Sequence, residues 1–323
     1  MMDYYVRRKN GGLLFMKFSI FSDLHYAPGV FDGGNYEDLE FIHKRAKENG
    51  CSFIIHAGDF AHGGDTYPPD PDYYNFIETY NNLDIPTYHC FGNHDTDNVP
   101  LAEVLKLYKM PDVHYYFDCE GYRFIVYDPN YCLIDGEYVH YDMGNYFKTP
   151  EARDWLPPAQ IEWMRKTIEE AEGPCILISH ASLERPDGIK NRQDVLDMIH
   201  EQNEKRPHAV LMVINGHYHR NSIRILDGVL HFDLNSASFD WIGKPYPNYP
   251  KELCEKIRLF PNTIVYNDPI HAVITLEGTT ITIDGMKSST FMGIGREHTE
   301  NPYYDDAGRH AHAEVESAKI TLH

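Results

Sequence analysis

Residue types that bind transition metals occur in five short motifs of this sequence. The motifs are Asp23-Leu24-His25, Gly58-Asp59, Gly92-Asn93-His94-Asp95, His180 and Asn215-Gly216-His217-Tyr218-His219. Imidazole nitrogens combined with carboxylate and amide oxygens suit Mn, Fe, Zn, Ni or Co, whereas Ca prefers oxygen ligands and structural zinc is commonly held by thiolates. The candidate set contains no cysteine, so the sequence predicts a transition-metal site of the catalytic kind.

The number of candidate ligands exceeds the number that one catalytic ion needs. The candidates are Asp23, His25, Asp59, Asn93, His180, His217 and His219. Such a set suits two ions that share a bridging carboxylate. Paired ions of this type lie about 3.5–4 Å apart and clamp the attacking and leaving oxygens of phosphoryl transfer. The pattern therefore points to chemistry on a phosphoester.

Each motif directly follows an apolar segment typical of a β-strand. These segments span 17–22, 51–57, 85–91, 175–179 and 209–214. Ligands in open α/β sheets collect at the carboxyl ends of strands, so the five motifs can converge on one place. Residues two apart in an extended segment project to the same side. Asp23 with His25, and His217 with His219, can therefore each present two ligands.

Helical patterns alternate with strands through the first two-thirds of the chain. Helices are predicted over 37–49, 73–80, a short stretch after 100, 157–171 and 191–204. Later segments read only as strands, at 223–226, 229–234, 271–276 and 280–284. The order predicts an α/β fold in which two mixed β-sheets pack as a sandwich flanked by helices.

The chain is expected to form one domain over residues 16–291. Residues 1–15 are expected to be a disordered N-terminal arm, and residues 292–323 a polar C-terminal tail with one strand at 318–322. Two segments without a clear period, 129–158 and 236–269, are predicted to be insertion loops. Long loops in compact domains often carry function, so substrate specificity is expected there.

The composition is acidic, with 29 Lys and Arg against 49 Asp and Glu and a net charge of −20. An extended basic surface for nucleic acid is therefore not expected. A compact phosphate can still bind, because bound cations dominate the local charge of such a site.

No apolar run approaches the roughly 18 residues of a membrane span. Without a signal peptide or a Cys-x-x-Cys pair, the sequence predicts a cytoplasmic protein.

The motifs, in their order along the chain, resemble those of the calcineurin-like metallophosphoesterase superfamily. The resemblance extends from Asp23 to His219 and implies a four-layer fold of two mixed sheets between helices. The implied ligands are Asp23, His25 and His219 for the first metal and Asn93, His180 and His217 for the second, with Asp59 bridging both.

The same resemblance implies hydrolysis by a hydroxide that bridges two divalent or mixed-valence ions, with Mn, Fe and Zn as the main candidates. Bound metals lower the pKa of water enough to supply hydroxide near neutral pH. His94 would face the substrate and either protonate the leaving oxygen or stabilise the crowded phosphorus. Asp95 would orient it.

Departures from the family pattern narrow the resemblance. The segment from Gly58 to His62 lacks the Asp-Arg-Gly continuation of the protein serine/threonine phosphatases. Purple acid phosphatases carry Tyr where His62 stands and lack the histidine that corresponds to His25. The remaining resemblance is to the class III cyclic-nucleotide phosphodiesterase-like group, which often has Asp at the His62 position. His62 is expected to support the site by a hydrogen bond, with a solvated turn histidine as the alternative.

The sequence favours a phosphohydrolase that acts on a small phosphodiester or phosphomonoester, with nucleotides among the candidates. A nuclease with the same site would need a basic groove, which the net charge of −20 disfavours. A non-catalytic metal-binding interaction module is a further alternative, although every ligand position is filled. Aromatic residues of 129–158 could stack on a nucleobase or only anchor the loop. The sequence leaves the oligomeric state open.

Overall fold

The structure, a computed structural model, describes residues 14–31, 34–62, 67–299 and 312–323. The strands are β1 Phe15–Phe21, β2 Ile54–His56, β3 Thr87–Tyr88, β4 Tyr115–Cys119, β5 Tyr122–Val126, β6 Tyr131–Ile134, β7 Glu137–His140, β8 Cys175–Ile178, β9 Val210–Asn215, β10 Ser222–Leu226, β11 Val229–Asp233, β12 Phe239–Trp241, β13 Thr263–Val265, β14 Ala272–Glu277, β15 Thr280–Gly285 and β16 Ala318–Thr321. The helices are α1 Tyr36–Glu48, α2 Pro71–Asn81, α3 Leu101–Leu107, α4 Pro158–Glu169, α5 Arg192–Lys205 and α6 Lys251–Lys256.

Two six-stranded mixed sheets form the body of the fold. The strand order is β16-β15-β14-β1-β2-β3 in sheet one and β10-β11-β9-β8-β5-β4 in sheet two. The strands that precede the metal-type motifs are parallel to one another within their sheets. Antiparallel strands complete both sheets. The predicted fold with two mixed sheets is therefore confirmed.

The two sheets face each other across an apolar core. Phe18 of β1 and Phe124 of β5 contact each other with ring centroids 5.2 Å apart, and Phe53 lies against both rings. Helices α1 to α3 cover the outer face of sheet one, and α4 and α5 cover that of sheet two. Burial of apolar side chains on both faces explains why the central strands are continuous apolar runs.

Helix α1 illustrates how local sequence sets the outer layers. The side chain of its N-cap Asn35 accepts a hydrogen bond from the Asp38 N–H at 2.9 Å, and the Asp38 carboxylate accepts one from the Asn35 N–H at 3.1 Å. The buried residues Leu39, Ile42 and Ala46 recur at helical spacing.

Among the helices of the described residues, none combines the length and apolarity that crossing a membrane requires.

The two segments expected to be loops contain secondary structure. Residues 129–158 include the β6–β7 hairpin, and residues 236–269 include β12, α6 and β13. These strands have only three or four residues, too few for alternation to appear as a pattern in the sequence.

The ends of the chain also differ in detail from the expectation. Strand β1 already begins at Phe15 and Leu14 is buried, so the arm expected over 1–15 overlaps the fold at these two residues. Residues 1–13 lie outside the described residues. Near the other end, β16 forms at the position predicted for a strand in the tail and pairs with β15.

A buried pair of histidines connects β2 to the end of β3. The Gly58 N–H donates to His56 Nδ1 at 3.2 Å, His56 Nε2 donates to His89 Nδ1 at 2.7 Å, and His89 Nε2 donates to Asn81 Oδ1 at 2.7 Å. Burial holds the pKa of His56 well below its usual range and lowers that of His89 to about 3. Both rings are therefore neutral in the folded protein near pH 7.

Replacement of His89 is expected to change the pH dependence of stability. An unfolded histidine gains a proton below its pKa of about 6.5, whereas folded His89 does not until about pH 3. Between pH 7.5 and 5 this difference removes about 2 kcal/mol from the free energy of unfolding. His89→Gln keeps an acceptor for His56 and should lose that part of the decline, as measured by urea unfolding at a series of pH values.

The exposed His200 on α5 provides the matched control. His200→Gln should leave the pH dependence of the wild-type protein unchanged. If the free energy of unfolding of His89→Gln falls between pH 7.5 and 5 as much as that of the wild type, His89 does not cause the decline.

Candidate metal centre

The five motifs meet where the parallel strands end. Hydrogen bonds continue past the strands, from the Asp23 N–H to the Gly58 carbonyl and from the His25 N–H to the Asp59 carbonyl, each at 3.0 Å. In sheet two the Gly216 N–H donates to the His180 carbonyl at 3.0 Å. The backbone pairing therefore fixes the first motif against the second and the fourth against the fifth before any side chain is considered.

One cluster of metal-type side chains combines Asp23, His25 and His219. Their ligand atoms all lie within 4.8 Å of one another. His219 Nε2 lies 3.3 Å from Asp23 Oδ1, and His25 Nε2 lies 3.8 Å from the same oxygen. This is the set that the resemblance assigns to the first metal.

A second cluster combines Asp59, His180 and His217, again within 4.8 Å. His180 Nε2 lies 3.0 Å from Asp59 Oδ2, and His217 Nδ1 lies 3.2 Å from His180 Nε2. Asp59 Oδ2 is also 3.8 Å from His25 Nε2 of the first cluster. Asp59 thus lies between the two clusters, which is where a bridging carboxylate has to lie.

Unpartnered oxygens support the fit of these residues to two cations. Asp23 Oδ1 and Asn93 Oδ1 are buried and have no hydrogen-bond partner among the described residues. Buried polar atoms are nearly always paired, so an oxygen left alone in this setting is suited to a metal ion. The centre could therefore hold two transition-metal ions, with Asn93 completing the second cluster.

Backbone carbonyls set the tautomers of two histidines. His180 Nδ1 donates to the Ala57 carbonyl at 2.7 Å, and His219 Nδ1 donates to the Phe239 carbonyl at 2.9 Å. In the neutral form of both rings the Nε2 lone pair is left for the cluster, an arrangement common to metal-binding histidines.

Burial and charge separate the histidines into two electrostatic types. Burial lowers the pKa of His25 and of His217 to about 3, which favours the neutral form that binds metals. Burial also acts to lower the pKa of His180, but the Asp59 and Asp23 carboxylates outweigh it and raise the value to about 10. A metal ion binding at His180 would therefore displace a proton.

The backbone is strained at the candidate ligands. Left-handed φ angles between 49° and 74° occur at Asp23, His25, Asp59, His217 and His219. Non-glycine residues rarely adopt this conformation, and such strain concentrates at functional sites. Space is also restricted, since a Cβ at Gly92 would lie 2.0 Å from Asp59 Oδ1. The glycine therefore allows the His94 turn to approach the carboxylate.

His94 lies beside the clusters and lines the adjoining cavity. Its backbone N–H donates to Asp59 Oδ1 at 2.8 Å, and its ring Nδ1 donates to Asp97 Oδ2 at 2.6 Å. Burial acts to lower the pKa of His94, but Asp59 and Asp97 raise it to about 9. The ring is therefore placed to hold a proton next to the metal-type residues.

The hydrogen bonds of the Asp95 carboxylate go to groups other than the His94 ring, and the expectation that Asp95 orients His94 stays a prediction. Its carboxylate accepts hydrogen bonds of 2.7–3.4 Å from the backbone N–H groups of Asp59, Phe60, Ala61 and Gly92 and from the Tyr108 hydroxyl. Asp95 joins the turn after β2 to the turn after β3. The carboxylate at the His94 ring is Asp97, two residues later.

Sequence reasoning missed Asp97 and Tyr146 as parts of the centre, although it expected a supporting hydrogen bond from His62. His62 Nε2 lies 3.2 Å from Asp97 Oδ2, and the Tyr146 hydroxyl donates to Asp97 Oδ1 at 2.7 Å. Asp97 stands just outside the third motif, and Tyr146 belongs to the segment 129–158. No spacing rule connects either residue to the motifs, and only the folded chain brings them together.

The tail residue Arg296 secures another wall of the centre. Arg296 is buried and bonds the Asp240 carboxylate and, at 2.8 Å, the Trp241 carbonyl. Arg220 also bonds this carboxylate. Strand β12, whose Phe239 carbonyl orients His219, is thereby held in place.

Comparison with known proteins identifies the family. The sequence model of the calcineurin-like phosphoesterase family matches residues 16–221. The chain therefore belongs to this family of metal-dependent phosphoester hydrolases, as the five motifs predict. The narrower resemblance to the class III cyclic-nucleotide phosphodiesterase-like group stays a prediction.

Individual relatives agree with this assignment. A manganese-dependent ADP-ribose/CDP-alcohol diphosphatase from Oryza sativa subsp. japonica is 29% identical over 131 residues, covering 34% of this chain and 40% of that protein. The chain thus spans less than half the length of this curated relative.

Solved structures show the same fold. A dimetal phosphatase from Danio rerio has a TM-score of 0.60 at 14% identity over 95% of this chain and 99% of that one. GAP50, the anchor in the inner membrane complex of Plasmodium, has a TM-score of 0.55 at 14% identity over 96% and 90%.

Asp95→Asn is expected to destabilise the protein by about 3 kcal/mol, because the new amide N–H group would face backbone donors and leave them unpaired. Urea unfolding of metal-free protein measures the effect. Asp70→Asn is the matched control, since Asp70 caps α2 and Asn caps helices equally well. A variant Asp95→Asn with wild-type stability but impaired hydrolysis would instead favour the orienting role.

Proposed function

We propose that this protein is a two-metal phosphohydrolase whose substrate is a small phosphodiester or diphosphate bearing a nucleobase. The observation that carries the proposal is a cavity of about 700 Å³ that joins the metal-type residues to a group of aromatic side chains. His25, Asp59, His94, His217 and His219 line one part of it. Phe31, Phe147, Phe239 and Trp241 line another.

The volume of the cavity favours a small molecule. Sites for small ligands commonly measure about 300–1,000 Å³. Arg258 is the single Lys or Arg among its described lining residues. A nuclease needs several phosphate contacts along a strand. The lining therefore favours a compact phosphoester over a nucleic acid.

The aromatic part of the cavity offers surfaces for a flat, unsaturated group. Phe31 stacks on Phe239 with ring centroids 5.0 Å apart, and Trp241 meets the Phe31 edge at 6.4 Å. Phe147 is 57% exposed and Trp241 42% exposed. Large apolar side chains exposed at a concave site commonly mark a ligand surface. Both compounds in the name of the Oryza sativa relative carry a nucleobase beside a diphosphate, which supports the same substrate class.

The residues of the chain divide the proposed reaction between them. Two bound metals would supply Lewis acidity and a hydroxide nucleophile. One metal would be held by Asp23, His25, His219 and Asp59, and the other by Asn93, His180 and His217. His94 is bonded to Asp97 through Nδ1, which leaves Nε2 to deliver a proton to the leaving oxygen.

Removal of the proposed bridging ligand tests the function. Metal-stripped protein reloaded with Mn should hydrolyse bis(p-nitrophenyl) phosphate. Asp59→Asn should lower kcat at least about 100-fold, because removal of a metal ligand strongly lowers metal affinity and activity. Asp135→Asn, in the exposed β6–β7 turn, is the control and should behave as wild type. Hydrolysis by Asp59→Asn at the wild-type rate would exclude this site.

The same assay separates the alternatives. Cleavage of single-stranded DNA at low salt, with small esters untouched, would favour a nuclease. Binding of two metal ions without turnover of monoesters, diesters or diphosphates would favour a non-catalytic module.

Trp241→Ala tests the substrate class. Base–aromatic stacking contributes about 1–3 kcal/mol, so KM for a nucleoside diphosphate ester should rise about tenfold or more. KM for methyl p-nitrophenyl phosphate, which carries no base, should stay near the wild-type value. An equal rise for both substrates would show that the tryptophan shapes the site without contacting a base.

A further inference from the structure

Tyr146, in the segment 129–158, reaches the metal centre with a single hydroxyl group. The residue is buried, with 1% of its surface exposed. Its hydroxyl accepts a hydrogen bond from Asn93 Nδ2 at 3.3 Å and donates one to Asp97 Oδ1 at 2.7 Å. It also lies 3.4 Å from His94 Nδ1. One atom of this segment thus contacts a candidate metal ligand and the carboxylate that holds His94.

The contact with Asn93 determines which end of its amide faces the centre. Because Nδ2 bonds to Tyr146, Oδ1 is the amide atom that remains without a partner among the described residues. Only the oxygen of an amide binds a cation, since the NH₂ group is a donor. Loss of the Tyr146 hydroxyl would free the amide to turn its donor toward the metal.

The contact with Asp97 acts on His94. Asp97 Oδ2 bonds the ring Nδ1 of His94 at 2.6 Å and lies 3.2 Å from His62 Nε2. Tyr146 occupies the other carboxylate oxygen and thereby limits rotation of the group. The carboxylate in turn fixes the His94 tautomer, leaving Nε2 toward the reaction.

The segment itself is held rigidly against the turn that carries His94. The Gly144 N–H donates to the Thr96 carbonyl at 3.2 Å, and the Leu101 N–H donates to Asp142 Oδ1 at 2.9 Å. Tyr141 stacks on the Tyr146 ring at 4.5 Å. The residues just before Tyr146 therefore hold its ring in place, and with it the position of the hydroxyl at the centre.

We propose that Tyr146 and Asp97 are positioning residues of the two-metal reaction, in which one hydroxyl aligns both the ligand Asn93 and the proton donor His94. The inference rests on the proposed function. In this proposal Tyr146 and Asp97 act through Asn93 and His94 and do not contact the reacting atoms themselves. An anchoring role for Tyr146 in the segment 129–158 is the competing explanation.

Tyr146→Phe removes the hydroxyl and keeps the ring that packs on Tyr141. Titration with Mn against a competing chelator should show about tenfold weaker binding of one of two ions, because partners of metal ligands affect affinity by that order. With wild-type metal loading restored by excess Mn, kcat should fall about tenfold while KM is unchanged. The loss should be larger for an alkyl leaving group than for p-nitrophenolate, which needs no proton.

Tyr141→Phe is the matched control, because it removes a neighbouring hydroxyl that bonds Asp154, away from the centre. It should change neither the Mn affinity nor the leaving-group dependence. Equal effects of both variants would overturn the proposal in favour of simple anchoring. Wild-type behaviour of Tyr146→Phe would overturn it as well.

Asp97→Asn provides a second variant if Tyr146→Phe fails to fold, as judged by its melting curve. It should also lose more activity with the alkyl leaving group, and an equal loss with both leaving groups would contradict the link to His94. A wild-type protein that binds two Mn ions without hydrolysing any phosphoester would refute the proposed function instead. The Mn titration would then still decide whether Tyr146 supports Asn93.

Discussion

Two carboxylates, Asp23 and Asp59, lie side by side in the interior, and the rest of the centre depends on this arrangement. Buried charge is costly unless it is paired with opposite charge or coordinates a metal ion. Here imidazole nitrogens surround both groups at 3.0–3.8 Å, and one oxygen of Asp23 accepts no hydrogen bond from the described residues. Folding must therefore offset the cost of keeping two negative charges where they have little contact with water. Two cations would satisfy that requirement and supply the chemistry.

Hydrogen bonds from the surrounding fold hold the strained turns and the histidine rings of this centre in place. Backbone hydrogen bonds between the ends of neighbouring strands hold the left-handed turns at the candidate ligands. Asp95 joins the turn that carries Asp59 to the turn after β3, while the carbonyl groups of Ala57 and Phe239 hold the rings of His180 and His219. Rigid support of this kind is what keeps metal-binding side chains in a productive geometry.

The sequence reveals the parts of this design that depend on local spacing. Asp23 and His25 can be recognised as candidate ligands because they lie two residues apart directly after an apolar strand. The order of the five motifs along the chain is enough to indicate the family. The sandwich fold follows because strands and helices alternate before the antiparallel strands begin. The four-residue strands of the β6–β7 hairpin, in contrast, leave no periodic signal.

Long-range contacts are the part that the sequence conceals. Asp95 and Asp97 are both carboxylates near His94, and nothing in their types shows which one bonds its ring. The choice depends on where the chain turns after Asn93, and thus on tertiary structure. Tyr146 lies 49 positions beyond Asp97 in the sequence, one tyrosine among 24. Its role emerges only from the packing of the segment 129–158 against the His94 turn.

Tyr146 and Phe147 are adjacent in sequence, yet the first bonds Asn93 and Asp97 in the interior and the second lines the cavity. This adjacency links two properties that many enzymes keep on separate loops. A change of segment 129–158 that alters which ligands fit beside Phe147 also puts the Tyr146 hydroxyl at risk. Substrate range and turnover should therefore evolve together in this protein, and engineers who graft a new loop here would need to carry the tyrosine with it.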